Sequence, residues 1–242
     1  MDQTLIRVGC CGFPMGKAEY YRSFPIVELQ QTFYRLPRVT TAERWRKEAP
    51  LEFEFTLKAW QLITHEPSSP TYRRLKKHLP EETKKRYGSF KPTEEVLAAW
   101  EATTTIAEAL QATIIVFQTP PSFDPTPQHR ANLRQFFTNI ERKRWILAWE
   151  PRGEWKPQVV RKLCEELDLV HVVNPLLQEP LYGAIRYFRL HGRTGYRYLH
   201  TDEDLEILWS LCPPGMTTYV LFNNFFMAED ALRFLGLAKA SG

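Results

Sequence analysis

The sequence predicts an α/β fold, a (β/α)8 barrel of the TIM type. Eight short apolar runs recur along the chain, and helix-like segments lie between most of them, which is the alternation of that barrel. The length of 242 residues suits one such unit, so we expect a single domain over residues 1–242. A doubly wound open sheet is the alternative, but Gly9–Gly12 does not match the glycine-rich phosphate motif G-x-G-x-x-G.

The eight runs are rich in Val, Ile and Phe and almost continuously apolar, as is typical of parallel strands covered by helices. The predicted strands are Leu5–Cys11, Phe24–Gln30, Phe53–Ala59, Thr113–Thr119, Trp145–Glu150, Leu169–Asn174, Ala184–Gly192 and Thr217–Asn224.

Helix-start signals precede most of the segments between the strands. Thr93 and Thr201 are good N-caps, Thr126 precedes Pro127, and Pro157 opens a further helix. Thr40–Glu43 indicates a capping box. The predicted helices are Arg44–Ala49, Glu94–Leu110, Gln128–Arg142, Gln158–Leu167, Asp202–Leu211 and Ala228–Leu237, whereas Met15–Ser23 is too short for a full helix.

One connection is oversized. After the third strand, residues 60–92 form an insertion with basic clusters at Tyr72–His78 and Lys84–Tyr87. Because the insertion follows a strand, we place it above the carboxyl-terminal face of the barrel. It is either a solvated surface segment or a basic lid that attracts an anionic substrate.

The composition limits the function classes. The net charge of +4 and the pI of about 8.8 allow an anionic ligand without requiring nucleic acid. The four cysteines include no Cys-x-x-Cys pair, which favours a reduced, cytoplasmic protein. The first residues do not resemble a signal peptide, and no apolar run approaches the ~20 residues of a membrane helix. The oligomeric state stays open.

Polar residues lie at the carboxyl ends of the predicted strands, and a period of two allows them all to face inward together. The predicted ring consists of Glu28, Lys58, Gln118, Glu150, Asn174, Arg189, His191 and Asn223, with His65 and Arg152 just past strand ends. In this fold, catalytic groups come from these strand ends. The alternative is a buried polar network that only ties the top of the barrel together.

The ring contains groups for acid–base chemistry. We expect Glu28 and Glu150 to act as general acid and base and His191 to move a proton near neutral pH. Lys58 and Arg189 would hold a carboxylate or phosphate. The further substrate-binding candidates are His65, Gln118, Arg152 and Asn223.

A metal site is an alternative use of the same residues. Glu28, Glu150 and His191 together could hold a divalent ion, but two neighbouring cations oppose it, so we expect neither a metal nor another cofactor. Cys10, at the end of the first strand, could face inward, and we interpret it as a small buried thiol rather than a nucleophile.

Five segments carry a resemblance to a known family. They are Val27–Pro37 ("VE-x-x-x-TFY-x-LP"), Lys58–His65 ("KA…ITH"), Phe117–Phe123 ("FQ-x-PPSF"), Arg189–Arg193 ("RLHGR") and Tyr219–Asn224 ("Y-x-x-FNN"). In order along residues 5 to about 235, the chain resembles the YecE-like family, domain of unknown function seventy-two. The resemblance implies a TIM-like barrel with a cleft at the carboxyl ends of its strands, and it implies no established activity. The chain departs from the family pattern at Cys10–Pro14, Gln30–Gln31 and Trp149–Arg152.

Three functional hypotheses follow. The first is an enzyme, hydrolase-like or isomerase-like, that uses acid–base chemistry on a small polar and anionic substrate. The second is a nucleic-acid or polyanion-binding module that uses the basic insertion at residues 73–86. The third is a metal-dependent hydrolase in the style of endonuclease or sugar isomerase barrels, which is fold-level analogy alone.

Overall fold

The barrel is closed, and all eight of its strands are parallel and adjacent in chain order. The computed structural model describes residues 5–75 and 79–240, and the predicted (β/α)8 architecture is confirmed. The strands are β1 Ile6–Cys10, β2 Ile26–Leu29, β3 Glu54–Lys58, β4 Ile114–Gln118, β5 Ile146–Glu150, β6 Val170–Val173, β7 Arg186–Leu190 and β8 Thr218–Phe222.

The strands alternate between two hydrophobic layers. Side chains such as Ile114, Val116 and Leu221 fill the barrel, while neighbours such as Leu57 and Phe117 pack under the helices. Both faces of every strand are therefore covered, which explains why the runs are almost continuously apolar. The same alternation turns the last inward residue of each strand toward the top of the barrel.

Ten helices surround the strands in the described part of the chain. They are α1 Lys17–Ser23, α2 Gln31–Tyr34, α3 Val39–Glu48, α4 Gln61–Thr64, α5 Glu81–Lys84, α6 Glu94–Leu110, α7 Pro127–Asn139, α8 Pro157–Leu167, α9 Asp202–Ser210 and α10 Met227–Ala240, with a 3-10 turn at Pro70–Arg74. None of the helices seen in residues 5–75 and 79–240 has the length and apolar character to cross a membrane.

Three of the predicted threonine caps are confirmed. The hydroxyl of Thr93 accepts the backbone N–H of Val96, and that of Thr126 accepts the N–H of His129. Thr201 forms a full capping box with Asp204 at the start of α9. Each such cap stabilises its helix by about 1 kcal/mol.

The predicted capping box at Thr40–Glu43 is wrong. Helix α3 already begins at Val39, after Arg38, and no side chain caps it. Burial of Ala42 against the core fixes this helix instead, so tertiary packing outweighs the local signal.

Within Met15–Ser23, which the sequence predicted to be too short for a full helix, residues Lys17–Ser23 form the seven-residue helix α1. The buried side chain of Tyr20 explains it: its hydroxyl accepts the N–H of Cys10 at 2.7 Å and donates to the carbonyl of Ile26 at 2.8 Å. Seven residues are marginal as an isolated helix, but these bonds tie the segment to β1 and β2.

Cys10 faces the helix layer, and the neighbouring Cys11 faces the barrel interior. The Cys10 thiol donates to the carbonyl of Met227 at 3.4 Å. The expectation that Cys10 could face inward is therefore wrong, because the inward phase of β1 falls one residue later. Burial raises the pKa of the Cys10 thiol to about 12, so it is not a ready nucleophile.

The insertion is tied to the barrel top. The hydroxyl of Tyr72, in the 3-10 turn, donates to the carbonyl of His65 at 2.8 Å. Part of the basic charge is neutralised, since Lys84 pairs with Glu81, and Arg86 Nε lies 2.9 Å from a Glu95 oxygen. The predicted basic residues 76–78 lie outside the described residues.

Gly88 lies where the end of the insertion packs against the backbone carbonyl of His65. Its φ is +82°, and a Cβ there would lie 2.2 Å from the carbonyl oxygen of His65. We expect Gly88→Ala to lower the free energy of unfolding by about 2 kcal/mol or more, in urea titrations, because strain and overlap add. Gly236→Ala is the matched control: nothing lies within 4 Å of its Cβ, and alanine should stabilise α10 slightly. Equal effects of the two variants would contradict the assignment.

Candidate active site

Arg189 joins the two predicted carboxylates beneath the top of the barrel. It has no exposed surface, and its Nε and one terminal nitrogen each lie 3.0 Å from an oxygen of Glu28. Its other terminal nitrogen contacts the carboxylate of Glu150. One guanidinium on β7 thus links a strand-end acid of β2 with one of β5.

Glu28 is fully engaged by its neighbours. The Tyr187 hydroxyl donates to Oε2 at 2.9 Å, and the Gln30 amide donates to Oε1. With the two bonds from Arg189, every side of the carboxylate is used, and the residue is completely buried. Its inward direction is as the sequence predicted, and its contacts suit holding Arg189 rather than reaching a ligand.

Glu150 is held as an anion. Burial alone raises the pKa of its carboxyl, but the guanidinium groups of Arg189 and Arg152, together with His191, outweigh burial and keep that pKa well below its usual range. Arg152 forms an ion pair with Oε1, and His191 Nε2 lies 3.4 Å from the same oxygen. Glu150 is therefore a partner for a positive charge and a poor proton donor.

His191 is set up as a neutral imidazole. Burial lowers the pKa of His191, with the hydrogen bond to Glu150 acting against it. The amide nitrogen of Asn223 lies 3.0 Å from Nδ1, so Nδ1 accepts and Nε2–H donates to Glu150 in the tautomer these contacts favour. Arg152, which also touches Nε2, then bonds to the Glu150 oxygen they share.

Lys58 is a buried amine that forms no ion pair with a carboxylate of the described residues, although Glu150 and Glu28 act on its pKa from farther away. Its side chain is 5% exposed, its Nζ lies 3.7 Å from the centre of the Phe33 ring, and it donates to Gln118 Oε1. The ion pairs of the described residues do not include Lys58. Burial, and then the charge of Arg189, lower the pKa of Lys58 to about 7.

His65 lies next to Lys58 and carries no charge near pH 7. Burial, and then Lys58, lower the pKa of His65 to about 3. Its Nδ1 is 2.8 Å from the Thr64 hydroxyl, and its ring meets the Phe33 ring edge-on at 4.8 Å. His65 can offer a hydrogen bond to a ligand but not a charge.

Two adjoining cavities open above these groups. The first, here called the lysine cavity, has a volume of about 510 Å³ and is lined by Lys58, His65, Gln118 and Asn223 among others. The second, the histidine cavity, has about 260 Å³ and is lined by Glu150, Arg152, His191 and Asn174 among others. Tyr196 lines both. The predicted ring is thus brought together, with Glu28 and Arg189 buried below it.

Four residues of the site were not among its predicted members. Tyr187 shares the inward phase of β7 with Arg189, so period two could have found it. Gln30 follows Glu28 by two residues in the same phase. Tyr196 and Arg74 come from loops, and no strand period reaches them.

Metal-site geometry is missing from the residues described. No group of three or more His, Cys, Asp or Glu side chains among residues 5–75 and 79–240 is arranged to hold an ion. In the predicted set of Glu28, Glu150 and His191, the guanidinium of Arg189 bonds to both carboxylates.

Comparison with known proteins decides the family. The model of the family described as "Protein of unknown function DUF72" matches residues 17–240. The chain belongs to the DUF72 family. This DUF72 chain is 30% identical over 239 residues to the UPF0759 protein YunF of Bacillus subtilis (strain 168), a match that covers 85% of this chain and 79% of YunF. The YecE-like resemblance is confirmed.

Solved structures show the same fold for DUF72 proteins. A crystal structure from Enterococcus faecalis V583 aligns with a TM-score of 0.74 at 22% identity, covering 99% of both chains. One from Thermotoga maritima MSB8 aligns with a TM-score of 0.68 at 21% identity, covering 97% of this chain and 99% of that one. A xylose isomerase-like TIM barrel/4-hydroxyphenylpyruvate dioxygenase fusion protein gives 0.54 at 11% identity, covering 97% of this DUF72 chain and 42% of its own. These likenesses concern the fold alone.

Proposed function

We propose that this protein is an enzyme that binds a small anionic molecule over Lys58 and exchanges a proton with it through His191. The observation that carries the proposal is the lysine itself: a buried amine with a pKa of about 7 that borders a cavity and has no carboxylate of the described residues as its ion-pair partner. Buried charges are normally paired, because leaving water costs several kcal/mol per ion. A purely structural network would supply that partner, and an anionic ligand supplies it here.

The neighbouring groups suit such a ligand. Gln118, Asn223 and His65 can hydrogen-bond to a ligand in the lysine cavity, and Arg152 lines the adjoining one. The described lining of the lysine cavity includes no carboxylate, which favours an anionic ligand there. A bound anion would raise the pKa of Lys58 back toward its ordinary value.

His191 is the proton carrier in this proposal. Its Nδ1 accepts a proton from the substrate or from water once the Asn223 amide gives way, and Glu150 stabilises the imidazolium that forms. Return of the proton to a neighbouring atom of the substrate completes an isomerisation. In a hydrolysis the proton comes from water, the water oxygen bonds to the substrate, and the proton passes to the leaving group as its bond to the substrate breaks. Glu28, expected as an acid or base, holds Arg189 in this scheme, and Arg189 holds Glu150 rather than the ligand.

The other two hypotheses rank lower. The nucleic-acid module depended on residues 73–86, where Lys84 and Arg86 are paired with acids and Arg73 and Arg74 are not, so only part of that charge is available to a polyanion. The metal-dependent hydrolase needs carboxylate oxygens that Arg189 occupies.

Sulfate binding tests the proposal, since sulfate keeps its charge between pH 5.5 and 9. In calorimetric titrations we expect the affinity to be constant below pH 7 and to fall about tenfold per pH unit above it, as Lys58 loses its proton. Lys58→Arg should remove that fall, and Lys58→Met should abolish binding. Lys162→Met, an exposed lysine of α8, should leave binding unchanged. Sulfate binding to Lys58→Met at the parent's affinity would overturn the proposal.

A further inference from the structure

A third cavity continues the lysine cavity along the top of the barrel. It has a volume of about 640 Å³, and Gln30, Tyr34 and Arg74 line both spaces. We call it the arginine groove, because Arg35, Arg73 and Arg74 line it. A ligand that fills the lysine cavity can therefore extend into the groove without leaving the protein surface.

The groove is positive and lacks internal compensation. No aspartate or glutamate is among its lining residues, and the ion pairs of the described chain include none of its three arginines. Nearby basic residues of the same insertion behave differently: Lys84, Arg86 and Lys91 are each paired with a glutamate. The three arginines of the groove thus have no ion-pair partner among the described residues.

Arg74 is held in place before any ligand binds. The guanidinium carbon of Arg74 lies 3.7 Å from the centre of the Tyr34 ring, a stacked arrangement that leaves its N–H groups free at the edge. The 3-10 turn that carries Arg73 and Arg74 is capped by Ser69 and anchored by the Tyr72 bond to His65. Preorganised donors lower the entropy lost when an anion binds.

The rest of the groove suits an uncharged body. Phe13 and Leu29 give it apolar walls, and a Cβ built on Gly12 would meet nothing within 4 Å, so the space beside that residue is open. Such a lining suits a ligand with charged groups at its two ends and a less polar middle.

We infer that the arginine groove is a second anion subsite, so that the substrate is an elongated organic molecule with one anionic group over Lys58 and another in the groove. The inference rests on the proposed function, because the lysine cavity is its first subsite. The order of the cavities then sets the orientation: distal anion in the groove, proximal anion over Lys58, and the reacting atoms toward His191.

A matched pair of ligands tests this. Hexyl phosphate carries one anionic group, and the α,ω-alkanediyl bisphosphates with four, six and eight carbons carry two on a similar body. Calorimetric titration of the full chain should show at least one bisphosphate binding about tenfold tighter than hexyl phosphate, because the second group binds intramolecularly. Arg35→Gln/Arg73→Gln should reduce that advantage below about threefold and leave the hexyl phosphate affinity unchanged. Arg161→Gln/Lys162→Gln, which removes two exposed charges from α8, should change neither ligand.

The outcomes distinguish a failure of the second subsite from a failure of the proposed function. If hexyl phosphate binds through Lys58 but no bisphosphate binds more tightly, the groove is not a subsite and the proposed function stands. If hexyl phosphate binding does not depend on Lys58, the proposed function and the inference both fail. If ten-nucleotide oligothymidylate binds more tightly than every bisphosphate and loses that affinity in Arg35→Gln/Arg73→Gln, the occupant is a polyanion and the small-molecule assignment is overturned.

Discussion

Replacement of Arg189 by methionine is expected to lower the free energy of unfolding by about 3–5 kcal/mol, the cost of removing one partner of a buried ion pair. The variant leaves Glu28 without its guanidinium in a fully buried position, and leaves Glu150 with only Arg152 and His191 as partners. Loss of Arg189 raises the pKa of Glu150, so we expect the destabilisation to be smaller in acid than at pH 7. Urea titrations at pH 5 and pH 7 measure it.

Two further variants test whether the loss of stability comes from the unpaired carboxylates. Glu28→Gln/Arg189→Met removes one of the uncompensated charges and should recover part of the lost stability. Arg189→Lys keeps the charge but loses the bidentate bond to Glu28, and its cost should lie between parent and Arg189→Met. A loss below about 1 kcal/mol in Arg189→Met, relative to parent, would show that the arginine does not hold the two carboxylates.

Replacement of Lys58 by methionine is expected to act in the opposite direction and stabilise the protein. The pKa of Lys58 falls from 10.5 to about 7 on folding, and each unit corresponds to about 1.4 kcal/mol. The upper limit of the gain at pH 7 is therefore about 4 kcal/mol, and the lost contacts with Gln118 and Phe33 reduce it to about 1–3 kcal/mol. The same variant should no longer bind sulfate.

The pH dependence identifies the cause of that gain. Because the folded pKa lies below the unfolded one, the unfolded chain binds more protons between about pH 7 and 10.5, and the parent gains stability from this group as pH rises through that window. The advantage of Lys58→Met should thus be largest below pH 7 and shrink toward pH 10.5. An advantage that grows with pH would contradict the assignment. Gain of stability with loss of binding is the signature of a residue kept for function.

The barrel was predictable because its signals are local and redundant. The eight apolar runs match the eight strands, and Thr93, Thr126 and Thr201 start the helices they were predicted to start. The misassignments concern α1 and α3, where a tertiary contact decides. Tyr20 stabilises α1 through hydrogen bonds to Cys10 and Ile26, and the sequence of the α1 segment alone does not predict them.

The candidate site was predictable in membership but not in pairing. A period of two places Glu28, Lys58, Glu150 and Arg189 inside the barrel, and all four are buried there. The period-two pattern does not give side-chain rotamers. It therefore cannot show that Arg189 forms ion pairs with both acids and that Lys58 has no ion pair with either of them. The proposed roles of Glu28 and Arg189 follow from that pairing and stay predictions, as do those of His191 and Lys58.

Closure of the barrel has a consequence for biosynthesis. Strand β1 pairs with β8 over five residues, from Ile6 opposite Thr218 to Cys10 opposite Phe222. During translation, one edge of β1 therefore stays unpaired until more than two hundred further residues, including β8, have been synthesised. An exposed strand edge invites pairing with other chains, so nascent chains stalled before β8 are the form of this protein most in need of a chaperone.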